Sequence, residues 1–384
     1  MKKYFDQGNF EPFVYQRLNE VIDEFKDDPN SYVVFDYDNT SIIMDIEDNL
    51  NVYLMEHLEY KLTPEAFYKT LTNTHYHEEL SKVFDQKYEH ATGFNLAEDI
   101  SKEYEWLYDN YIAHENRSET LLKEVKDTDH YQTFVTKLRM FHKFVNGNLL
   151  REPSYGWMTY LFAGNTVEEF RDICKRCINE MKDRPFEEIT FTSAESIPGK
   201  SGVVSSTFKS GLTVPEEMLN LYEAFKENNI TPYIVSASPR EYVDVAKDLF
   251  GHAVESENII AMEFKTDNGV IIPVMDDDMP ITKGKGKTDA IKKYIMPKHG
   301  GKEPVAMFGD SIGDYDMMKT FKNTPLCVIF NRHSTDDFKE LINLAIKQYD
   351  FSDARFVLQG RNENKGMLIP SQQSIAFGET KAHL

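Results

Sequence analysis

Four apolar residues, Tyr32 to Phe35, run directly into Asp36-Tyr37-Asp38-Asn39-Thr40. In extended backbone, residues two apart point the same way, so Asp36 and Asp38 face one pocket. Two carboxylates held together repel, and one keeps its proton unless a cation sits between them. Such a pair suits a divalent metal, or a nucleophile with a neighbouring general acid. Taken alone, an Asp-x-Asp more often marks a solvated turn. Three later stretches add chemistry at comparable places. TPYIVSAS puts Ser236 at a strand terminus, where its hydroxyl and the following backbone N–H groups, from Ala237 onward, can grip an anion. KGKGKTDAIKKYI puts Lys287 at the opening of a helix whose apolar face is Ala290, Ile291 and Ile295. A lysine there opposes the helix dipole and needs a compensating anion; Lys283 and Lys285 compete for the same role. PVAMFGDSIGDYDMM sets Asp310 directly after a strand, with Asp314 and Asp316 near a helix start, where a carboxylate also serves as a cap.

The elements that must position these residues are legible as a pattern. YVVF at 32–35 reads as a buried strand. Residues 42–190 read mostly as helix, with amphipathic stretches at 97–112 and 132–145, and the Ser/Gly/Pro-rich run 193–210 reads as a domain boundary. From about 215 the chain alternates: a helix opened by Pro215, the strand TPYIVS, a helix closed by Gly251, and a hairpin IIAMEFKTDNGVIIPV turning at Asn-Gly. A helix at 287–297, the strand PVAMFG, a helix at 314–322, the strand LCVIF and a helix at 334–348 follow. The last residues suggest strands near Phe356 and Met367. This alternation predicts an α/β, doubly wound parallel sheet with helices on both faces. Ligands of such sheets sit at the carboxyl ends of strands, where Asp36–Thr40, Ser236–Ser238 and Asp310–Asp314 all fall.

Composition narrows the function classes. A net charge of −21, with no Lys/Arg-rich block, argues against a nucleic-acid partner. No stretch reaches the roughly 18 apolar residues of a membrane span. No apolar h-region follows Lys2 and Lys3, so a cytoplasmic location is the expectation, although a longer exported precursor would read the same way. Three cysteines in 384 residues make no disulfide framework. Cys174 and Cys177 form a C-x-x-C inside a helical pattern, with Phe170, Ile173 and Ile178 on the same face. That placement predicts buried small hydrophobes rather than a redox pair.

The four pieces, in this order, resemble the motifs of the haloacid-dehalogenase-like phosphohydrolases: Asp36/Asp38/Thr40, Ser236, Lys287, and Gly309-Asp310-Ser311 with Asp314. Within that family the chain looks most like the phosphorylcholine phosphatase and phosphoserine phosphatase-like branch. The likeness extends to FDYDNTSIIMDIEDNLNVYL, GWMTYLFAGNT and VIFNR, though not to the middle of the insert, about 75–150. It implies a core of residues 1–40 and 211–350, a helical cap at 41–210 that selects the substrate, and a C-terminal extension at 351–384. It also implies magnesium held by Asp36, Asp310 and the backbone carbonyl of Asp38. Asp36 becomes the nucleophile and Asp38 the general acid and base. Thr40, Ser236, Ala237 and Lys287 hold phosphate, while Asp314 and Ser311 orient these groups. The expected substrate is a small phosphomonoester, with phosphorylcholine favoured over phosphoserine. For a choline head group, Glu47, Asp48, Trp157, Tyr160 and Phe162 are candidates for a cation site. Those aromatics, like Tyr104, Trp106, Tyr108 and Tyr111, also fit helix packing.

Overall fold

The computed structural model describes residues 3–72, 77–83, 85–148, 160–275 and 278–384. Strands are β1 (Tyr32–Phe35), β2 (Glu188–Thr192), β3 (Ser205–Lys209), β4 (Thr231–Pro239), β5 (Ile259–Met262) and β6 (Phe264–Asp267). They continue with β7 (Val270–Met275), β8 (Ala306–Gly309), β9 (Leu326–Phe330), β10 (Phe356–Asn362) and β11 (Met367–Ile369). Seven of them form one sheet in the order β11-β10-β9-β8-β1-β4-β5. Every pairing is parallel except β10 with β11.

Alternation along β1 sorts side chains to two faces. Val33 and Phe35 join the core that includes the helices Pro12–Phe25 and Glu216–Glu227. Tyr32 and Val34 join the core of the opposite face, with Ile291, Met317 and Leu341. Both faces are covered, so β1, β5, β8 and β9 are apolar throughout. From β1 the chain proceeds outward through β4 and β5, then resumes on the other side at β8. The sheet therefore reverses direction between β1 and β8, where doubly wound folds open a crevice. The fold is the expected α/β sheet, joined by many helices.

Between β1 and β4 lie the helices Ile46–His57, Pro64–Leu71, Gly93–Leu107, Glu119–Lys126, Asp129–Asn148 and Val167–Met181. The segments leaving and re-entering this stretch touch: Ile43 N donates to Thr213 O at 2.8 Å. The run 193–210 contains β3, which pairs antiparallel with β2. Its loop is held by Asp99, which accepts from Lys137 Nζ (2.8 Å), Lys200 N (2.8 Å) and Ser201 N (2.9 Å).

Two predicted elements shift. The hairpin does not begin at Ile259: β5 is buried on both faces and joins the main sheet, and only β6 and β7 form the hairpin, turning at Asn268 and Gly269. That hairpin also binds the insert, since Gly164 N donates to Ile271 O at 2.9 Å. The helix expected from Lys287 starts at Lys285, so Lys287 lies inside its first turn. Gly286 permits this start, because a Cβ there would lie 1.6 Å from the Ile281 carbonyl oxygen. Among the described residues no helix is long and apolar enough to cross a membrane.

Candidate active site

The carboxyl ends of β1 and β8 are neighbours because Phe35 registers with Phe308, and Asp36 N donates to Phe308 O at 3.0 Å. Asp36 and Asp310 thus emerge side by side, on the expected edge of the sheet. Asp314 reaches the same place from the helix Ile312–Thr320. Its Oδ2 accepts from Asp310 N (3.0 Å) and Ser311 N (3.2 Å), so it ties down the turn as well as facing the cleft. Gly309 makes room, since a Cβ there would lie 2.5 Å from the Asp314 carboxyl carbon. One oxygen from each of Asp36, Asp310 and Asp314 lies within 4.8 Å of the others, and all three residues are buried.

Lys287 is the cation inside this cluster. Its Nζ lies 2.6 Å from Asp36 Oδ1 and 2.7 Å from Asp314 Oδ1, and the residue is only 2% exposed. The competitor Lys285 is exposed and paired with Asp289 at 2.7 Å. Lys283 lies at the rim. Burial lowers its pKa to about 8, against the opposing pull of Glu47, Asp45 and Asp36. Arg332, in the VIFNR stretch after β9, puts Nη1 2.5 Å from Asp310 Oδ2.

Asp38 is held apart from the cluster. Its Oδ2 accepts from Ser238 Oγ at 2.6 Å and its Oδ1 from Ile46 N at 2.7 Å. Burial pushes its pKa up to about 6, more than those two hydrogen bonds pull it down. Burial likewise raises Asp36 well above the carboxylate range, reinforced by Asp314 and Asp310 and opposed by Lys287. The two acids of the first motif therefore differ in surroundings, one gripped by a lysine and one by a serine.

The remaining expected residues are placed as follows. Thr40 Oγ1 donates to Asp310 Oδ1 at 3.3 Å. Ser236 is fully buried at the end of β4, and its Oγ accepts from Ser238 N at 3.1 Å, with Ala237 half-buried between them. The register of β4 against β5 shifts between Val235 and Pro239, across these residues. Glu47 is buried, with its pKa raised well above normal by burial and then by Asp45 and Asp38. Asp48 is not left for a ligand: Arg139 grips both its oxygens at 2.9 Å and His142 stands 3.3 Å away. Phe162 is core, stacked on Phe170 at 4.0 Å, and Tyr160 packs edge-on against Phe264. Trp157 lies outside the described residues. Tyr104 and Tyr111 are also core.

Sequence reading did not single out Ser238, Arg332 or Arg361 as site residues. For Ser238 a signal existed, because Ser-Ala-Ser places both hydroxyls on one side of the strand end. The two arginines arrive by tertiary contact and carry no local signature.

Hard carboxylate oxygens converging in a buried site suit magnesium. The upward pressure on Asp36 and Asp314 is what a dication relieves. Asp36 and Asp310, two of the expected ligands, therefore fit the metal that the motifs imply, and Asp314, expected only to orient the groups around it, lies beside them.

The family model described as haloacid dehalogenase-like hydrolase matches residues 183–319, which include Ser236, Lys287, Asp310 and Asp314. The chain belongs to this hydrolase family. A conserved protein of unknown function from Anaerococcus prevotii DSM 20548 is similar throughout, with TM-score 0.87 and 30% identity over 99% of this chain and 100% of its own. A phosphoserine phosphohydrolase-like protein from Francisella tularensis overlays at TM-score 0.34 and 12% identity, over 78% of this chain and 87% of its own. A substrate-bound phosphoserine phosphatase gives TM-score 0.33 at 12% identity, over 78% and 85%. Comparison with curated proteins gives no match.

Proposed function

We propose that this hydrolase is a magnesium-dependent phosphomonoesterase acting through a phosphorylated Asp36. The observation that carries the reading is the convergence of Asp36, Asp310 and Asp314 beside Lys287, with Asp38 held separately by Ser238 and the Ile46 amide. Asp36 Oδ1 receives the Tyr37 amide at 2.8 Å and Lys287. Oδ2 is then the oxygen that attacks phosphorus, while the bond from phosphorus to the ester oxygen breaks. Asp38 gives its proton to that departing alkoxide. As a carboxylate it next takes a proton from the water that attacks phosphorus, releasing Asp36 and inorganic phosphate. Lys287, Thr40, Ser236 and the Ala237 backbone hold the equatorial oxygens as charge spreads. Magnesium held by Asp36, Asp310 and the backbone carbonyl of Asp38, with Asp314 beside them, would offset the repulsion between a carboxylate nucleophile and a phosphate dianion.

Phosphorylcholine is the favoured substrate, with phosphoserine or another small amino-phosphate as the alternative. Glu47 supports a cationic head group, being an acid buried close to Asp38. The insert 41–210 is proposed as the cap, and residues 351–384 as an extension of the core 1–40 and 211–350. Three free, buried cysteines agree with a cytoplasmic location.

Asp36→Asn tests the chemistry. It should abolish magnesium-dependent phosphate release from a phosphomonoester panel with the far-UV spectrum unchanged; undiminished turnover would remove Asp36 as nucleophile. Glu47→Gln tests the substrate. It should raise KM for phosphorylcholine and spare an uncharged aryl phosphate, and equal effects on both reject a choline site there.

A further inference from the structure

Strand β10 lies beyond the region that the family model matches. From it Arg361 reaches back 322 positions to the loop between the first two acids and Thr40: Nη1 donates to Asn39 O at 2.9 Å. Nη2 donates to Asn39 Oδ1 at 3.1 Å and to Glu363 Oε1 at 2.6 Å. The side chain is fully buried, an unusual place for a guanidinium unless its charge is met. Glu363 meets it, and is itself fixed by the Phe377 amide at 3.2 Å.

Asn39 is the residue that needs holding. It stands between Asp38 and Thr40 with φ +58, in the left-handed region that most side chains avoid and that asparagine, after glycine, enters most readily. This turn lets Asp38 face Ser238 while Thr40 faces Asp310. The planar fork of one arginine spans the carbonyl and the side-chain oxygen of the same residue, a geometry that a lysine cannot reproduce. Around the other side, Arg332 joins Asp310 at 2.5 Å and approaches Glu363 at 3.7 Å. Asp310, Arg332, Glu363, Arg361 and Asn39 thus form a continuous chain of contacts linking the ends of β8 and β1.

We propose that Arg361 is a positioning residue for the nucleophile loop, so that the C-terminal strand is part of the catalytic apparatus rather than an appendage. Its consequence for turnover rests on the phosphomonoesterase reading; its hold on the loop does not. The loop amides report that hold directly, since Thr40, Ser41 and Ile42 N–H groups all point to the Tyr37 carbonyl.

The experiment compares wild type, Arg361→Met and Arg361→Lys by hydrogen–deuterium exchange over residues 36–44, and by steady-state hydrolysis of p-nitrophenyl phosphate with magnesium. Arg361→Met should exchange faster in that segment and lose roughly 100-fold in kcat, with KM little changed, because the loop is misplaced but no substrate contact is removed. Arg361→Lys should recover part of both losses. Asn39→Gly serves if Arg361→Met does not fold: it tolerates the same φ, loses the Oδ1 contact, and should move both readouts in the same direction. Unchanged exchange in a folded variant overturns the proposal. So does faster exchange with undiminished kcat. A wild type that turns over no phosphomonoester refutes the proposed function instead, and the exchange comparison still decides whether Arg361 holds the loop.

Discussion

Lys287 Nζ lies 2.6 Å from Asp36 Oδ1, in a site where both residues are buried. Removing one partner of such a pair strands the other. Lys287→Met should destabilise the chain by about 3 kcal/mol, because Asp36 and Asp314 lose their common cation. It should also lower kcat by roughly 10²–10³. Magnesium should restore more thermal stability to Lys287→Met than to wild type, since the dication meets the same carboxylates. Lys285→Ala is the contrast: its solvent-exposed pair with Asp289 contributes little, and turnover should hold. Melting curves with and without magnesium, beside phosphate-release rates, separate the two lysines. A Lys285→Ala variant as impaired as Lys287→Met would reverse the assignment.

The insert contains its own buried pair. Lys137 is inaccessible, and its ammonium donates to Asp99 Oδ2 at 2.8 Å and to Pro198 O at 2.7 Å. Lys137→Met should cost about 3–5 kcal/mol, as an acid is left buried with only amide and hydroxyl donors. The double variant with Asp99→Asn should lose less than the sum of the two single losses. Urea melts of the four proteins measure the coupling, and simple additivity would show that the pair does not act as a unit.

The strands and their terminal acids were legible because two-sided burial forces uninterrupted apolar runs, and each run stops where the chain meets the cleft. Tyr32–Phe35 before Asp36 and Ala306–Gly309 before Asp310 are such cases. Pairing was not legible. Asp48 looked available for a substrate because nothing within its helix shows that Arg139, 91 positions later, takes both its oxygens. Arg361 was missed for the same reason. The break between β5 and β6 was hidden because apolar residues on both sides of Glu263 continue one pattern, and only the sheet partner distinguishes them.

Two histidines give stability a pH dependence. Burial lowers both His142 and His252 to about 4, from an ordinary 6.5. Between those values the unfolded chain binds a proton that the native chain refuses, so stability present above pH 6.5 is lost as pH falls toward 4. Between pH 7 and 5 each histidine should remove about 2 kcal/mol. His252 packs against Tyr37 and Tyr222, so His252→Phe keeps the ring and abolishes the titration. Urea denaturation at the two pH values should show a smaller loss for the variant than for wild type. Equal losses would mean that His252 is protonated in the native state.

Asp38 offers the test closest to the bond-breaking step. Its two oxygens are fixed by Ser238 and Ile46 N, and burial raises its pKa to about 6, so a protonated form is accessible near neutrality. A general acid matters in proportion to the basicity of the leaving group. Asp38→Asn should therefore cost roughly 10²–10⁴ in kcat on alkyl phosphates, whose alkoxides need a proton to depart. On p-nitrophenyl phosphate the first step needs no proton, and the remaining loss reflects the slower water attack on phosphorylated Asp36. A burst of nitrophenolate, close to one per active site, should then precede a slow steady state. Absence of the burst, with equal losses on alkyl and aryl substrates, would move the acid–base role away from Asp38 and leave it a structural anchor for the helix Ile46–His57.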